Sequence, residues 1–339
     1  MSINYIDTVS MYFTFPMPSY RALKMPLSKP WRYRGTAKDQ RLHHWFLNAG
    51  NVFMAFYPDL FNHVRLFVTF SVPRLLNGSN TFHVQNFDEA ACYSLLMQSL
   101  SLFPWQQFQQ SPPASFSEWQ ASRVDLFLMH EIPIGQRDEY MGAYELLMLS
   151  RYRPKKYGNT YYLNSSRRPD KKSNKVFRVY PKVQEIHDRL TGTDYPLAVH
   201  KKHESYLCMD ERLSDFIRFE WMLRRSVIKY ECSKLNTPPT MHEVFQQQFQ
   251  EAVLLRLISA VGLDRRILCR NDFKNAAKGI FKSSRTYHNA LDYARQIRNR
   301  QTVGLTKSQC SLVKRTLKQN GLHYITTAYH NLAPVMLNP

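Results

Sequence analysis

Three short apolar runs each carry a residue able to do chemistry. Asp125 lies in Ser122-Arg123-Val124-Asp125-Leu126-Phe127-Leu128, and Glu220 in Phe216-Ile217-Arg218-Phe219-Glu220-Trp221-Met222. Between them, Phe177-Arg178-Val179-Tyr180-Pro181-Lys182 carries a tyrosine and a lysine, followed by Glu185. An acid inside an apolar strand costs free energy unless it is paired or coordinated. Asp125 and Glu220 are therefore candidate ligands for a hard divalent cation, Mg²⁺ or Mn²⁺, with Glu185 as a third candidate. A tyrosine hydroxyl can attack a phosphodiester and keep the bond energy in a covalent link. Its free pKa is about 10, so it needs a metal ion to polarise the phosphate and basic neighbours to favour the phenolate. Lys182, two residues after Tyr180, falls on the same strand face and is assigned to that role. Competing structural readings stand beside these. Tyr180 is one of 20 tyrosines and could be a core tyrosine; Asp125 could pair with Arg123 or Arg218, and Glu220 with Arg224.

The segments around these residues must position them. Residues 3–15 alternate as a first strand, and 51–57 and 64–72 read as further strands rich in Val, Phe and Tyr. Asn86-Phe87-Asp88-Glu89 caps a helix over Ala90–Met97, and a second helix covers Tyr140–Ser150. Asn159–Asn164 and Lys175–Tyr180 form the arms of a hairpin with Ser165–Asn174 as its charged tip. Mixed strand and helix order indicates an α+β fold. After the break at Thr237-Pro238-Pro239-Thr240, Met241–Ile258 reads as one apolar-faced helix, and basic residues recur among helix formers to the end of the chain. The expected division is a mixed domain over 1–236 and a basic helical domain over 237–339.

Charge names the class of partner. The 339 residues hold 46 Lys+Arg against 26 Asp+Glu, a net charge of +20. Such an excess points to a polyanion, bound through counterion release. Lys171, Lys172, Lys175, Arg178 and Arg218 are the candidate nucleic-acid contacts, with Tyr157, Tyr161 and Tyr162 available to stack on bases. The five cysteines are widely spaced, without a CxxC, and read as reduced thiols. The first residues show no secretory pattern, and no run is long and apolar enough to span a bilayer. A cytoplasmic protein without membrane partners is expected.

The order of the pieces resembles the filamentous-phage replication initiators, the gene II protein family, and more distantly the rolling-circle initiators of small plasmids. Four stretches carry the likeness: Ile6-Asp7-Thr8-Val9; Phe70-Ser71-Val72-Pro73-Arg74-Leu75-Leu76-Asn77-Gly78-Ser79-Asn80; Ser122-Arg123-Val124-Asp125; and the pair Phe177–Lys182 with Ile217-Arg218-Phe219-Glu220. They span the chain to about residue 235. The resemblance implies a metal-dependent nickase and strand-transferase. Tyr180 would cut one strand at the origin, stay linked to the 5′-phosphate, leave a 3′-hydroxyl as primer, and later close the displaced strand into a circle. Asp125 and Glu220 are the implied metal residues. The implied fold is the antiparallel-sheet core of the rolling-circle (HUH-related) nickases with flanking helices. The implied partners are supercoiled and single-stranded origin DNA in a bacterial cytoplasm, with a host helicase and self-association compatible with the same reading. Two features depart from the family pattern. Pro181 follows the tyrosine, restricting it to extended geometry, and no His-hydrophobic-His pair occurs, so a metal would rely on carboxylates. A non-catalytic nucleic-acid-binding regulator on the same scaffold is the alternative reading.

Overall fold

Alternation of apolar and polar residues builds the sheet of the first half of the chain, and the buried faces are set residue by residue. The computed structural model describes residues 3–16, 31–36, 39–58, 63–80, 83–133, 135–149, 155–157, 160–164, 174–182, 185, 216–301 and 303–337. In chain order the strands are β1 (Ile3–Asn4), β2 (Ile6–Pro16), β3 (Arg32–Thr36), β4 (Asp39–Ala49), β5 (Val52–Pro58), β6 (His63–Ser71) and β7 (Val84–Gln85). They continue with β8 (Gln120–Glu131), β9 (Lys155–Tyr157), β10 (Thr160–Asn164), β11 (Lys175–Pro181), β12 (Phe216–Arg224), β13 (Arg266–Cys269) and β14 (Leu322–Thr327). The helices are α1 (Val72–Asn77), α2 (Glu89–Leu100), α3 (Arg137–Leu149), α4 (Arg225–Lys234), α5 (Met241–Phe245), α6 (Gln247–Val261), α7 (Arg270–Ile280), α8 (Ser284–Arg298) and α9 (Lys307–Gln319). The fold is α+β. A large sheet has the hydrogen-bonded order β3-β4-β5-β6-β2-β8-β12-β11-β10-β9, and β13-β14 forms a small sheet of its own.

Packing divides the chain into two units. Among the described residues, one comprises those up to Phe127 together with Glu220–Val253; the other comprises those from Leu128 to Glu185, Phe216–Phe219 and those from Leu254 on. The division does not follow a single cut in the sequence, since β8, β12 and α6 each contribute residues to both units.

In the first unit, β2 pairs antiparallel with β6 from Thr8↔Ser71 to Pro16↔His63. Strand β6 alternates strictly, burying Val64, Leu66, Val68 and Phe70, as a half-buried strand should. Phe15 on β2 and Phe56 on β5 pack edge-on against Phe103 and Phe108, and Trp31 closes the cluster against Phe56 and Phe103. The polar edges of two rings are satisfied: Trp31 Nε1 donates to the Leu102 carbonyl and Trp105 Nε1 to the Leu100 carbonyl, both at 2.9 Å. Helix α2 begins at Asp88, whose side chain accepts from the Ala90 and Ala91 N–H groups, an ordinary N-cap.

The apolar pattern of 241–258 predicts one helix, but the chain forms α5 and α6 with an extended Gln246 between them (φ −64°, ψ 133°). The break is compensated by Gln250. Its Nε2 donates to the Phe245 carbonyl at 2.9 Å, while its Oε1 accepts the Tyr5 N–H at 2.7 Å. A buried glutamine that serves two backbone groups stabilises a kink that apolar periodicity alone does not register.

The second unit holds the hairpin and the basic C-terminal part. The two predicted arms pair antiparallel, with Tyr161↔Val179 and Leu163↔Phe177; the tip at 165–173 lies outside the described residues. In the C-terminal part the structure adds to the helices predicted there. Strands β13 and β14 pair in parallel, joined through α7, α8 and α9, as a parallel pair requires a long crossover. Phe273, Ala290, Tyr293, Val313, Leu317 and Ile325 are among its buried residues. Helix α3 belongs to the same unit: Glu139 accepts from the Tyr329 N–H at 2.8 Å and meets the His330 ring at 2.7 Å, and Arg300 pairs with Glu145 at 2.7 Å.

His130, on β8, is packed near the rings of Tyr140 and Phe219. Its Nε2 is buried with no hydrogen-bond partner among the described residues, and burial pulls its pKa down to about 4. Because the folded value lies below the ordinary 6.5, this contribution to stability is complete above pH 6.5. It is lost as pH falls toward 4, where the unfolded chain takes up a proton that the folded ring refuses. Urea unfolding should lose about 2 kcal/mol between pH 7 and 4.5 on this account, allowing for partial solvent screening. His130→Gln should flatten that part of the profile. An unchanged profile in the variant would contradict it.

Candidate nucleic-acid active site

Unit by unit, the candidate residues fall into two groups. The first unit contains Asp125 and Glu220, both buried, at 1% and 3% exposure, and Asp7, which sequence reasoning did not single out. Between Ile6↔Leu126 and Thr8↔Asp125, β2 advances two residues while β8 advances one. Asp7 is therefore the extra residue of a bulge, the device by which a strand re-aims a side chain. It is buried, and its Oδ1 accepts from Ser71 Oγ at 3.1 Å and from Asn80 Nδ2 at 3.3 Å.

Those hydrogen bonds give the motif from Ser71 to Asn80 a structural meaning. Ser71 ends β6, α1 turns the chain with Pro73 in its first turn, and Gly78 stops the helix at φ +74°, its N–H bonded to the Arg74 carbonyl. The left-handed cap favours glycine. The turn brings Asn80 back to the carboxylate that Ser71 already holds. The signal was available in the sequence: Asp7 is an acid in an apolar alternating strand, the same criterion that selected Asp125 and Glu220.

Arg123 organises this group. Its Nε donates to Asp125 Oδ1 at 2.8 Å and its Nη2 to Asp125 Oδ2, a bidentate fork. The Arg123 pKa is pushed upward, first by the hydrogen bond to Asp125, and also by the charges of Asp125, Glu220 and Asp7, against the opposing effect of burial. All three carboxylates are thus within electrostatic reach of one guanidinium. Of the alternatives open for Asp125, the pair with Arg123 is formed.

This arrangement bears on metal binding. Both oxygens of Asp125 carry the guanidinium, and among the described residues no group of three His, Cys, Asp or Glu side chains is placed to hold an ion. In the described arrangement Arg123 engages both oxygens of Asp125, so an ion bound there would have to displace it.

The second unit contains Tyr180, Lys182, Glu185, Arg178, Lys175 and Arg218. Strand β11 is buried over most of its length, with Val179 and Tyr180 at 0% and 6% exposure. Phe177 stacks on Phe219 with ring planes 5° apart, and Tyr144 from α3 meets Phe219 edge-on at 5.0 Å. This apolar packing fixes the strand that carries the tyrosine. The sequence spacing puts Lys182 on the same strand face as Tyr180, but β11 ends at Pro181, which cannot continue the hydrogen-bond ladder. Lys182 instead takes a helical conformation just past the strand end. It is fully buried, and its Nζ donates to Glu185 Oε2 at 2.8 Å, so it is not a solvated surface lysine. Glu185, a metal-ligand candidate, is the partner of that lysine.

Among the nucleic-acid candidates, Lys175 and Arg178 are half-buried and Arg218 is fully buried; Lys171 and Lys172 lie outside the described residues. No helix among the described residues is long and apolar enough to cross a membrane. The chain matches no protein-family model and no curated protein.

Proposed function

We propose that the chain is a strand-specific DNA nickase and strand-transferase of the rolling-circle type, with Tyr180 as nucleophile and an antiparallel-sheet nickase core as its fold. The observation that carries this reading is the treatment of the tyrosine strand. Tyr180 sits at the end of a buried strand, and the next charged residue, Lys182, is fully buried yet held by a carboxylate. A buried lysine is costly unless its charge is used or paired. Here it is a fixed positive group two residues beyond the phenol.

In the proposed reaction the Tyr180 oxygen bonds to phosphorus and the bond from phosphorus to the 3′-oxygen breaks. The tyrosine proton leaves to solvent or a base, and the departing oxygen is protonated to a 3′-hydroxyl. A phosphodiester is exchanged for a phosphotyrosyl ester, so no external energy source is required for resealing. A Mg²⁺ or Mn²⁺ ion, when bound, supplies charge neutralisation at the scissile phosphate. Holding it at Asp125 and Glu220 requires Arg123 to release Asp125. The +20 charge supplies the attraction to DNA, with the chain working in a bacterial cytoplasm.

Two observations favour a second reading, a non-catalytic nucleic-acid-binding regulator on this scaffold: Tyr180 is only 6% exposed, and Asp125 is committed to Arg123. Incubation with supercoiled origin DNA and Mg²⁺ or Mn²⁺ separates them. The nickase yields nicked circles cut in one strand, with a 3′ end that a polymerase extends. Tight binding that ignores divalent ions and yields no nicked circles selects the regulator.

A further inference from the structure

The C-terminal part of the second unit contains a cavity of about 620 Å³ whose charged lining is entirely basic: Arg256, Arg265, Lys314, Arg315 and Lys318. Two helix faces make its walls. Ser311, Lys314, Arg315 and Lys318 recur at i, i+3, i+4 and i+7 along α9, one face of a helix. Arg256, Ser259 and Ala260 do the same at i, i+3 and i+4 on α6. The small residues on α6 leave the space open, and buried Tyr324 from β14 lines it from the sheet side.

The cations are positioned rather than merely abundant. Lys314 Nζ lies 5.5 Å from the Tyr293 ring centre and 5.4 Å from that of Tyr324, so two aromatic rings hold one ammonium at the cavity wall. Arg265 is buried at 9% exposure, its Nη2 directed to the Ser259 carbonyl at 3.5 Å and its Nε to Asp264 at 3.4 Å. Crowding Lys314, Arg315 and Lys318 along one face of α9 at the opening is electrostatically unfavourable for the chain alone. The arrangement suits an oxyanion able to accept several donors at once.

We infer that this cavity binds the phosphate backbone of nucleic acid, clamping one or more phosphates between α6 and α9 away from the tyrosine strand. The inference rests on the nucleic-acid reading above and adds to it a named site. Lys314, Arg315 and Lys318 are exposed, so their removal leaves the packed core intact. Arg265 is excluded from the test because it is buried.

The experiment measures anisotropy of a labelled oligonucleotide lacking any origin sequence, single- and double-stranded, as salt is raised. It uses the full chain carrying Tyr180→Phe, so that cleavage plays no part. The triple variant Lys314→Ala/Arg315→Ala/Lys318→Ala should weaken binding at least ten-fold and reduce the log–log salt slope by about 2, since each phosphate that is no longer neutralised lowers it by about 0.7 to 0.9. Ser311→Glu, which sets a carboxylate on the same face, should weaken binding in the same direction. The control Lys274→Ala/Lys278→Ala/Lys282→Ala removes the same charge from exposed positions on and just after α7; its slope should change by less than half as much.

Equal losses in both triple variants would overturn the inference, leaving only a diffuse positive field. Retained DNA affinity in the cavity variant would also overturn it. If that variant instead lost only a saturable rise in Tm with inorganic phosphate, the ligand would be a free anion and the backbone assignment would be wrong. Nicking of origin DNA by the parent chain is scored separately: its absence refutes the nickase, and an unaltered slope refutes the cavity.

Discussion

Tyr180→Phe should abolish nicking, with a loss of about 10⁴-fold or more in the cleavage rate, while affinity for origin DNA changes by less than about two-fold. Phenylalanine keeps the ring that packs in β11 and removes only the oxygen that would bond to phosphorus. The stability cost should be about 1 kcal/mol, the usual net value of one hydroxyl hydrogen bond. The separation of these quantities is what matters. A tyrosine that is only part of the packed strand, as its 6% exposure permits, would show the stability change and leave cleavage untouched. Nicking should be followed on supercoiled circles, unfolding by urea titration, and binding by anisotropy. Wild-type nicking by the phenylalanine variant would remove Tyr180 from the mechanism.

Substitution at Asp125 should have the second largest effect, and its interpretation depends on Arg123. Asp125→Asn leaves the guanidinium, which is itself partly exposed, with one acceptor where it had two, so about 1–2 kcal/mol of stability should be lost. If Asp125 serves the chemistry through its charge, nicking should fall by about 100-fold or more. The pair variant Arg123→Met/Asp125→Leu separates the two roles, because replacing an ion pair whose carboxylate is buried by apolar groups of similar size is often neutral for stability. Stability should return toward the parent value while nicking stays abolished. Recovery of both would show that the carboxylate served only to neutralise Arg123. Nicking titrated with Mn²⁺ in the parent and in Glu220→Gln tests the ion directly; the variant should need at least ten-fold more ion for half-maximal rate.

The parts of the fold that were legible in the sequence are those whose signal is local. The alternation of Val64, Leu66, Val68 and Phe70 defines β6, Asp88 marks the start of α2, and the hairpin arms around Tyr161 and Val179 follow from their apolar spacing. What escaped depends on distant partners. The kink at Gln246 depends on Gln250 reaching both Phe245 and Tyr5, 245 residues away for the latter. Strand β14 is buried on both faces, so Leu322–Thr327 shows no alternation to distinguish it from the helices around it. Asp7 was legible as an acid in an apolar strand, but the bulge that places it was not, because the partners that hold it, Ser71 and Asn80, come from another strand and the turn after it. The same limit applies to chemistry. The sequence placed Asp125 in an apolar strand, where it is buried, but left open which cation meets it; the structure places Arg123 there.

The proposed chemistry makes a covalent bond between one side chain and cut DNA. Origin DNA labelled at the nucleotide 3′ of the nick would be incubated with the parent chain and Mg²⁺ or Mn²⁺, denatured, digested with protease and nuclease, and the adduct peptide sequenced by mass spectrometry. The predicted result is a nucleotide phosphate on Tyr180, within the peptide containing Val179 and Pro181. Cleavage without any covalent adduct, or an adduct on another tyrosine, would contradict it.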